Sequence, residues 1–473
     1  MPYLLLKTTL DHLKIEFMIK RILPILFICN FAFAQSTITI GTTTVTVDTV
    51  ASGLDIPWEI TWGPDNHIWT TERKGIVSRI NPVTKSKTQI LDITSIVYQQ
   101  AESGLLGLAL HPDFTNTPEV FLAYTFGTFS NIRERLVKYT YNGSSLVSPV
   151  ILIDSIIGNT THDGARLVFL PDTTLLMTTG DAQNTSLPQN LNSLSGKVLR
   201  LKTDGSIPAD NPITNSYVYS FGHRNAQGMM LHPNGKVYIS EHGASTDDEF
   251  QILYAGRNYG WPNVEGFCDT PGEQTFCTSN NVVEPLVAWS PTIAPSDMVY
   301  YSNAAFPEFH DAILMTVLKD KKVIALKLNA AGDSVISQTH YLTNTFQRLR
   351  DICIGNNKEI YLATNGASWS NTNPNTHLIV RLTPPVSTSG LNEIQNNSIK
   401  IYPNPFNEFI TIESIDTSDL FIQINDLSGR NCLNKRINSN LQRIDVSSLV
   451  KGVYIVSLND SAGNILLTQK LIK

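Results

Sequence analysis

Four cations lie between residues 224 and 350 on segments rich in turn-forming residues: Arg224, Lys319, Arg348 and Arg350. Gathered in one place, in a chain whose net charge is −6, they would suit a small polyanionic ligand. The arginine fork grips planar carboxylates in bidentate fashion, and lysine acts as a point charge. Singly, each is an ordinary surface ion-pair residue, so only the set carries weight. His162 lies in another such loop, His162-Asp163-Gly164-Ala165-Arg166. Glu102 precedes Gly104-Leu105-Leu106-Gly107, Asn225 follows Arg224, and Thr292 closes Trp289-Ser290-Pro291-Thr292. The stretch Glu241-His242-Gly243-Ala244, then Asp247-Asp248-Glu249, with Tyr259 and Asp269 downstream, supplies hard oxygens of the kind calcium takes, backbone carbonyls at glycine turns included. Oxygen-rich and histidine-poor composition argues against zinc. A solvated acidic turn is the plain alternative for this run.

Something must bring groups so far apart in the chain to one place. From about residue 45 to residue 385 a unit recurs: a Gly/Pro/Asp/Asn turn, then a short strand ending in Thr, Ser or Gly. Its strands are Ile68-Trp69-Thr70-Thr71, Val120-Phe121-Leu122-Ala123-Tyr124, Leu175-Leu176-Met177-Thr178-Thr179, Val237-Tyr238-Ile239-Ser240, a weaker Ala312-Ile313-Leu314-Met315-Thr316, and Ile360-Tyr361-Leu362-Ala363-Thr364. Short strands at such spacing suit propeller blades, each burying its faces only against its neighbours. No long run has a 3.6-residue apolar period, so helices are few. The expectation is an all-β chain with a six-bladed β-propeller at 35–385, its chemistry on loops at one end of a channel. An array of β-sandwiches is the competing architecture.

The flanks read differently. Residues 1–34 carry a basic start, Met18-Ile19-Lys20-Arg21, an apolar run to Phe33 and an Ala32-Phe33-Ala34 exit, the layout of a secretory signal; residues 1–17 look like an extension ahead of the true start. That run is too short to span a membrane, and no later one reaches 18 apolar residues. The acidic balance offers no basic face for nucleic acid. Cys29 falls in the signal; Cys268 and Cys277 share one loop, close enough to bridge in an oxidising compartment, while Cys353 and Cys432 read as plain thiols. A polar linker at 386–397 leads to alternating strands at 398–473, which read as a small β-sandwich.

Gly104-Leu105-Leu106-Gly107-Leu108-Ala109-Leu110-His111-Pro112, Gly196-Lys197-Val198-Leu199-Arg200, Gly222-His223-Arg224-Asn225 and Arg257-Asn258-Tyr259-Gly260-Trp261-Pro262, in this order, resemble the soluble glucose/sorbosone dehydrogenases that use pyrroloquinoline quinone (PQQ). That resemblance implies PQQ and calcium as cofactors and oxidation of aldose sugars or related alcohols by hydride transfer to the quinone, with His162 as base and Arg224 beside the reacting carbonyl. It places Glu102, Arg224, Asn225, His242, Asp248, Thr292, Lys319, Arg348 and Arg350 at the cofactor, with Arg348 and Arg350 on its carboxylates. Trp289 flanks the substrate, with core packing as its alternative. Gly243 and Ala244 hold one calcium through their carbonyls; Glu249, Tyr259 and Asp269 match a second, structural site. Glu102 and His242 stand where glucose-oxidising members have Gln, as in the broader aldose-oxidising branch. At the C-terminus, Tyr402-Pro403-Asn404-Pro405-Phe406, Gly452-Val453-Tyr454 and Lys470-Leu471-Ile472-Lys473 resemble the sorting domain of the type IX secretion system, which implies export to the surface or medium through that machinery. The alternatives to an enzyme are an extracellular propeller that binds a glycan or protein without turnover, and a calcium-dependent lactonase, which would want acids where this chain has cations.

Overall fold

The computed structural model describes residues 36–304, 306–368, 373–384, 399–414, 420–426, 430–460 and 465–473. The expected signal segment, its Cys29 and the 386–397 linker lie outside the described residues.

Residues 36–383 form six antiparallel sheets among the described residues. Each sheet runs outward from an inner strand, and the inner strands are Pro57–Trp62, Leu105–Leu110, Gly164–Phe169, Ala226–Leu231, Pro295–Tyr301 and Leu349–Ile354. Each inner strand packs against the next, and Leu349–Ile354 closes on Pro57–Trp62, so the sheets stand in a cyclic order of the propeller kind. The sixth sheet draws on both ends of the chain. Thr43–Ala51 pairs with Ile379–Thr383 in the register Thr46 to Thr383 and Val47 to Leu382, which ties the first strands to the last.

The six repeated strands of the sequence all occupy one place, second from the inside: Ile68–Glu72, Glu119–Thr128, Leu175–Thr179, Val237–Glu241, Ala312–Val317 and Ile360–Thr364. Five of the six are buried along their whole length and Glu119–Thr128 over most of it, which is why they read as continuous apolar runs. Their terminal hydroxyls have a structural use. Thr71 Oγ1 donates to Leu106 O at 2.6 Å and Thr178 Oγ1 to Ala226 O at 2.8 Å, while on an inner strand Ser296 Oγ donates to Leu349 O at 2.9 Å; each bond stitches one sheet to the next. The loop after Gly266 holds a helix that the polar sequence did not suggest, Pro271–Asn280, started by a Thr270–Glu273 capping box with Pro271 in the first turn. Within it Cys277 is disulfide-bonded to Cys268.

Residues 399–472 form two further sheets. Ile399–Tyr402, Phe409–Ser414 and Leu441–Asp445 make one; Asn431–Ile437, Leu420–Asp426, Val453–Asn459 and Ile465–Ile472 make the other. Their alternate residues, among them Ile401, Ile412, Ile422, Val456 and Leu471, meet in one apolar core.

Candidate functional site

Antiparallel pairing puts the start of every inner strand beside the end of its second strand, so both kinds of loop open at the same end of the ring. The starts carry Ile56, Glu102, His162, Arg224, Asn225, Ala294, Arg348 and, one residue inside, Arg350; the ends carry Arg73, Asp181, His242, Lys319 and Asn365. Groups scattered from Ile56 to Asn365 therefore converge for a topological reason.

Within this end lies a cleft of about 380 Å³ lined by Ile56, Trp58, Arg73, Glu102, Thr161, His242, Lys319, Arg348, Arg350 and Asn365, among others. Its cations are poorly matched by protein acceptors. The buried Nε atoms of Arg73, Arg348 and Arg350 have none, and neither does Asn365 Oδ1 a donor. Arg350 donates from Nη1 to Gln227 Oε1 at 2.6 Å. Burial, then the neighbouring Arg348, pushes its guanidinium well down from its ordinary value, and burial does the same to Arg73 and Arg348. Lys319 Nζ donates to Thr292 Oγ1 at 2.8 Å. Such a lining favours a ligand bearing several carboxylates, since buried donors without acceptors are costly.

His162 follows the lining residue Thr161 without itself forming part of the cleft wall, and has a left-handed backbone, φ 64°, and a side chain 17% exposed. Its Nδ1–H donates to Asp181 Oδ1 at 2.8 Å, leaving Nε2 to accept a proton. The other Asp181 oxygen accepts from Trp261 Nε1 at 2.8 Å. Burial would raise this carboxyl, but the bond and charge of His162, with the Trp261 and Gln183 donors, outweigh it and hold Asp181 below the usual carboxylate range. Arg224 lies over the Trp261 ring, 5.3 Å from its centroid, and donates to His242 O at 3.1 Å. Glu102 Oε2 accepts from the His162 backbone N–H at 3.2 Å and, at 3.5 Å each, from Asn225 Nδ2 and Gln227 Nε2. His242 Nε2–H donates to Pro295 O at 2.7 Å, and burial lowers its proton affinity, so it faces the cleft as neutral imidazole.

Behind His242 a second, much smaller cavity of about 20 Å³, room for one water-sized particle, is walled by Arg224, Glu241, Gly243, Asp247, Glu249, Tyr259 and Glu265 among others. Burial and the charge of Glu241 drive the Glu249 carboxyl well up, and Glu249 accepts from Gly266 N at 2.8 Å. Crowded hard oxygens of this kind suit a calcium ion, yet among the described residues no three acid, His or Cys side chains converge as a ligand group.

Several expected site residues stand elsewhere. Asp269 is exposed beside the helix, with no place at the small cavity. Tyr259 directs its hydroxyl to Ile252 O at 2.7 Å, so only its backbone is available to an ion. Both oxygens of Asp248 are satisfied by backbone amides, Gly243 N at 2.7 Å on one and Ile293 N and Ala294 N at 2.6 Å on the other; it fixes the two loops and lines neither cavity. Trp289 belongs to an outer strand and donates to Gln338 at 3.0 Å, packing against the fifth sheet and away from the cleft. Ala244 is exposed on the loop that begins with Gly243. Conversely, Arg73, Asp181, Gln227 and Asn365 were missed. Three of these sit directly after a repeated strand, where His242 and Lys319 also sit, and that shared station is the signal that would have found them.

The sequence profile of the family described as "Glucose / Sorbosone dehydrogenase" matches residues 54–371, and that of "Secretion system C-terminal sorting domain" matches 400–473. Quinoprotein glucose dehydrogenase B of Acinetobacter calcoaceticus is 32% identical over 390 residues, covering 64% of this chain and 81% of that protein. Aldose sugar dehydrogenase YliI of Escherichia coli is 31% identical, covering 69% of this chain and 91% of that one. The PQQ-bound aldose sugar dehydrogenase of Streptomyces coelicolor superposes with a TM-score of 0.63 at 28% identity, over 72% of this chain and 98% of the other. No helix among the described residues is long and apolar enough to cross a membrane. With a ring of sheets opening on an acceptor-poor cationic cleft, and with two thirds of its length matched, this chain belongs to the glucose/sorbosone dehydrogenase family.

Proposed function

We propose that the chain is a PQQ- and calcium-dependent dehydrogenase of aldoses or related alcohols, built as a six-bladed propeller at 35–385 with a β-sandwich sorting domain at 398–473 that directs it to the surface or medium. The observation that carries this reading is the set of Arg73, Arg348 and Arg350 Nε donors left without acceptors in a cleft beside an aspartate-held imidazole. Bound there, PQQ would supply the two-electron acceptor for hydride leaving the substrate carbon, and calcium at the Gly243 and Ala244 carbonyls would supply Lewis acidity, while a second, structural calcium would take Glu249 and the Tyr259 backbone.

The chain's own groups do the rest. Arg348, Arg350 and Lys319, steadied by Thr292, hold carboxylates of the cofactor. Glu102 and Asn225 fix the loop that carries the base. His162 Nε2 takes the hydroxyl proton of the substrate, while Asp181 keeps the ring in the right tautomer and stabilises the imidazolium formed. Arg224, stacked on Trp261, adds positive charge where negative charge develops.

Titrating purified apoprotein with PQQ and calcium tests this. A quinone-dependent change in the absorption spectrum is expected, together with dye-linked oxidation of aldoses. His162→Ala should lower turnover by about 10²- to 10⁴-fold and leave PQQ affinity in place. Absence of any spectral change on adding PQQ overturns the reading.

A further inference from the structure

We propose that Arg73 is a further cation for the cofactor, placed in the cleft to offset the carboxylate of Glu102. The inference rests on the cleft being the PQQ site. Arg73 follows the second strand of the first sheet, the station that carries His242 and Lys319 in other sheets. It lines the same cleft as Glu102, Lys319, Arg348 and Arg350, and its Nε is buried without an acceptor.

The passage of Arg73 is built into the fold. At Gly104, φ 153°, an added Cβ would lie 2.3 Å from the Arg73 carbonyl oxygen and 2.4 Å from Arg73 Cγ. Only glycine leaves the arginine its route, two residues after Glu102. Glu102 is held as an acceptor, since its Oε2 receives the His162 N–H and the amides of Asn225 and Gln227. No ion pair joins it to Arg73 among the described residues, so the two act on each other through the cleft.

The lining sets Arg73 among Lys319, Arg348 and Arg350, with Glu102 as its one acid. Glu102 and Asp55, the latter outside the lining, both attract the charge of Arg73. A carboxylate at 102 offsets part of the attraction the other cations exert on a ligand, and Arg73 restores it.

The test is a double-mutant cycle read by PQQ binding in calcium buffer, through quenching of tryptophan fluorescence, for which Trp58 in the cleft wall is placed. Arg73→Gln should weaken binding by about ten-fold or more, and Glu102→Gln should tighten it. The double variant should return to within about three-fold of the wild type, because the two opposite changes of charge offset each other. Arg73→Gln should also leave the thermal midpoint of the apoprotein unchanged or raised, as it removes a buried Nε–H that has no acceptor. An unchanged PQQ affinity in Arg73→Gln, a double variant that binds no better than Arg73→Gln, or a fall in apo stability overturns the proposal. Failure of the wild type to bind PQQ overturns the cleft reading itself, and the two failures are thereby distinguished.

Discussion

Arg166 and Arg350 enter the ring on inner strands and share one neighbour, Gln227, yet their surroundings are opposite. Arg166, on Gly164–Phe169, donates from Nη1 to Glu59 and Asp351 at 2.6 Å each, from Nε to Gln227 O at 2.8 Å and from Nη2 to Ser296 O at 3.1 Å, with Asp297 at 3.4 Å. Burial would strip its proton, but Asp297, Glu59 and Asp351 more than compensate. Arg350 has the Gln227 side chain, at 2.6 Å, and a buried Nε with nothing. Both arginines lie near Trp58, at 4.5 and 5.9 Å from its ring. The lesson is that burial of an arginine does not distinguish structure from function, whereas the state of its donors does. A satisfied guanidinium holds inner strands of five sheets together; an unsatisfied one awaits a ligand.

The comparison can be broken most forcefully at its structural side. Arg166→Met leaves three buried acids facing one another, and should cost about 3–5 kcal/mol of stability in denaturant unfolding. A loss under about 1 kcal/mol would show that the cluster does not hold the ring. On the other side, Arg348→Gln should leave apo stability unchanged or raised and weaken PQQ binding by about ten- to a hundred-fold. A destabilisation matching that of Arg166→Met would erase the contrast.

Asp181→Asn sharpens the distinction between holding a ligand and preparing a base. It should lower kcat by about ten- to a hundred-fold with PQQ affinity kept. Its carboxyl is held below the usual range, so it contributes stability above that range that is lost as pH falls through the lowered value; the variant should lose less stability on acidification.

Asp163 gives the smallest effect. Buried beside the base with Oδ2 unpartnered, it is pushed up to about 8, chiefly by burial and against the Asn159 N–H. Its folded value exceeds the unfolded one, so its contribution is present at low pH and declines as pH rises to about 8. Asp163→Asn should flatten the thermal midpoint between the ordinary carboxylate range and that pH; an unchanged slope would show that Asp163 is ionised throughout.

Much of the ring was legible because its information is local. A short apolar strand ending in Thr or Ser marked five of the six second strands, Val120–Tyr124 being read from its apolar run alone, and residues just before the inner strands, such as Glu102, His162 and Arg224, stood out as polar breaks in apolar patterns. Asp181 escaped notice because its role depends on His162 and Trp261, each supplied by another loop. Asp248 was legible as an acid but not as one consumed by backbone amides 45 and 46 residues away. Trp289 stayed open between substrate contact and core packing because an aromatic beside a conspicuous turn looks the same in sequence whether it faces a ligand or the next sheet, and its place in the apolar cluster of the fifth sheet favours packing.

Chain order by itself determined the all-β character, the repeat, the loops that carry charge and the separate C-terminal module, since alternation and turn chemistry act between near neighbours. Tertiary structure alone decided which of those charges are satisfied. Whether a buried N–H finds an acceptor depends on what other strands bring within 3 Å or so, and only closure of the ring puts Arg166 among acids and leaves Arg73, Arg348 and Arg350 facing an acceptor-poor cleft.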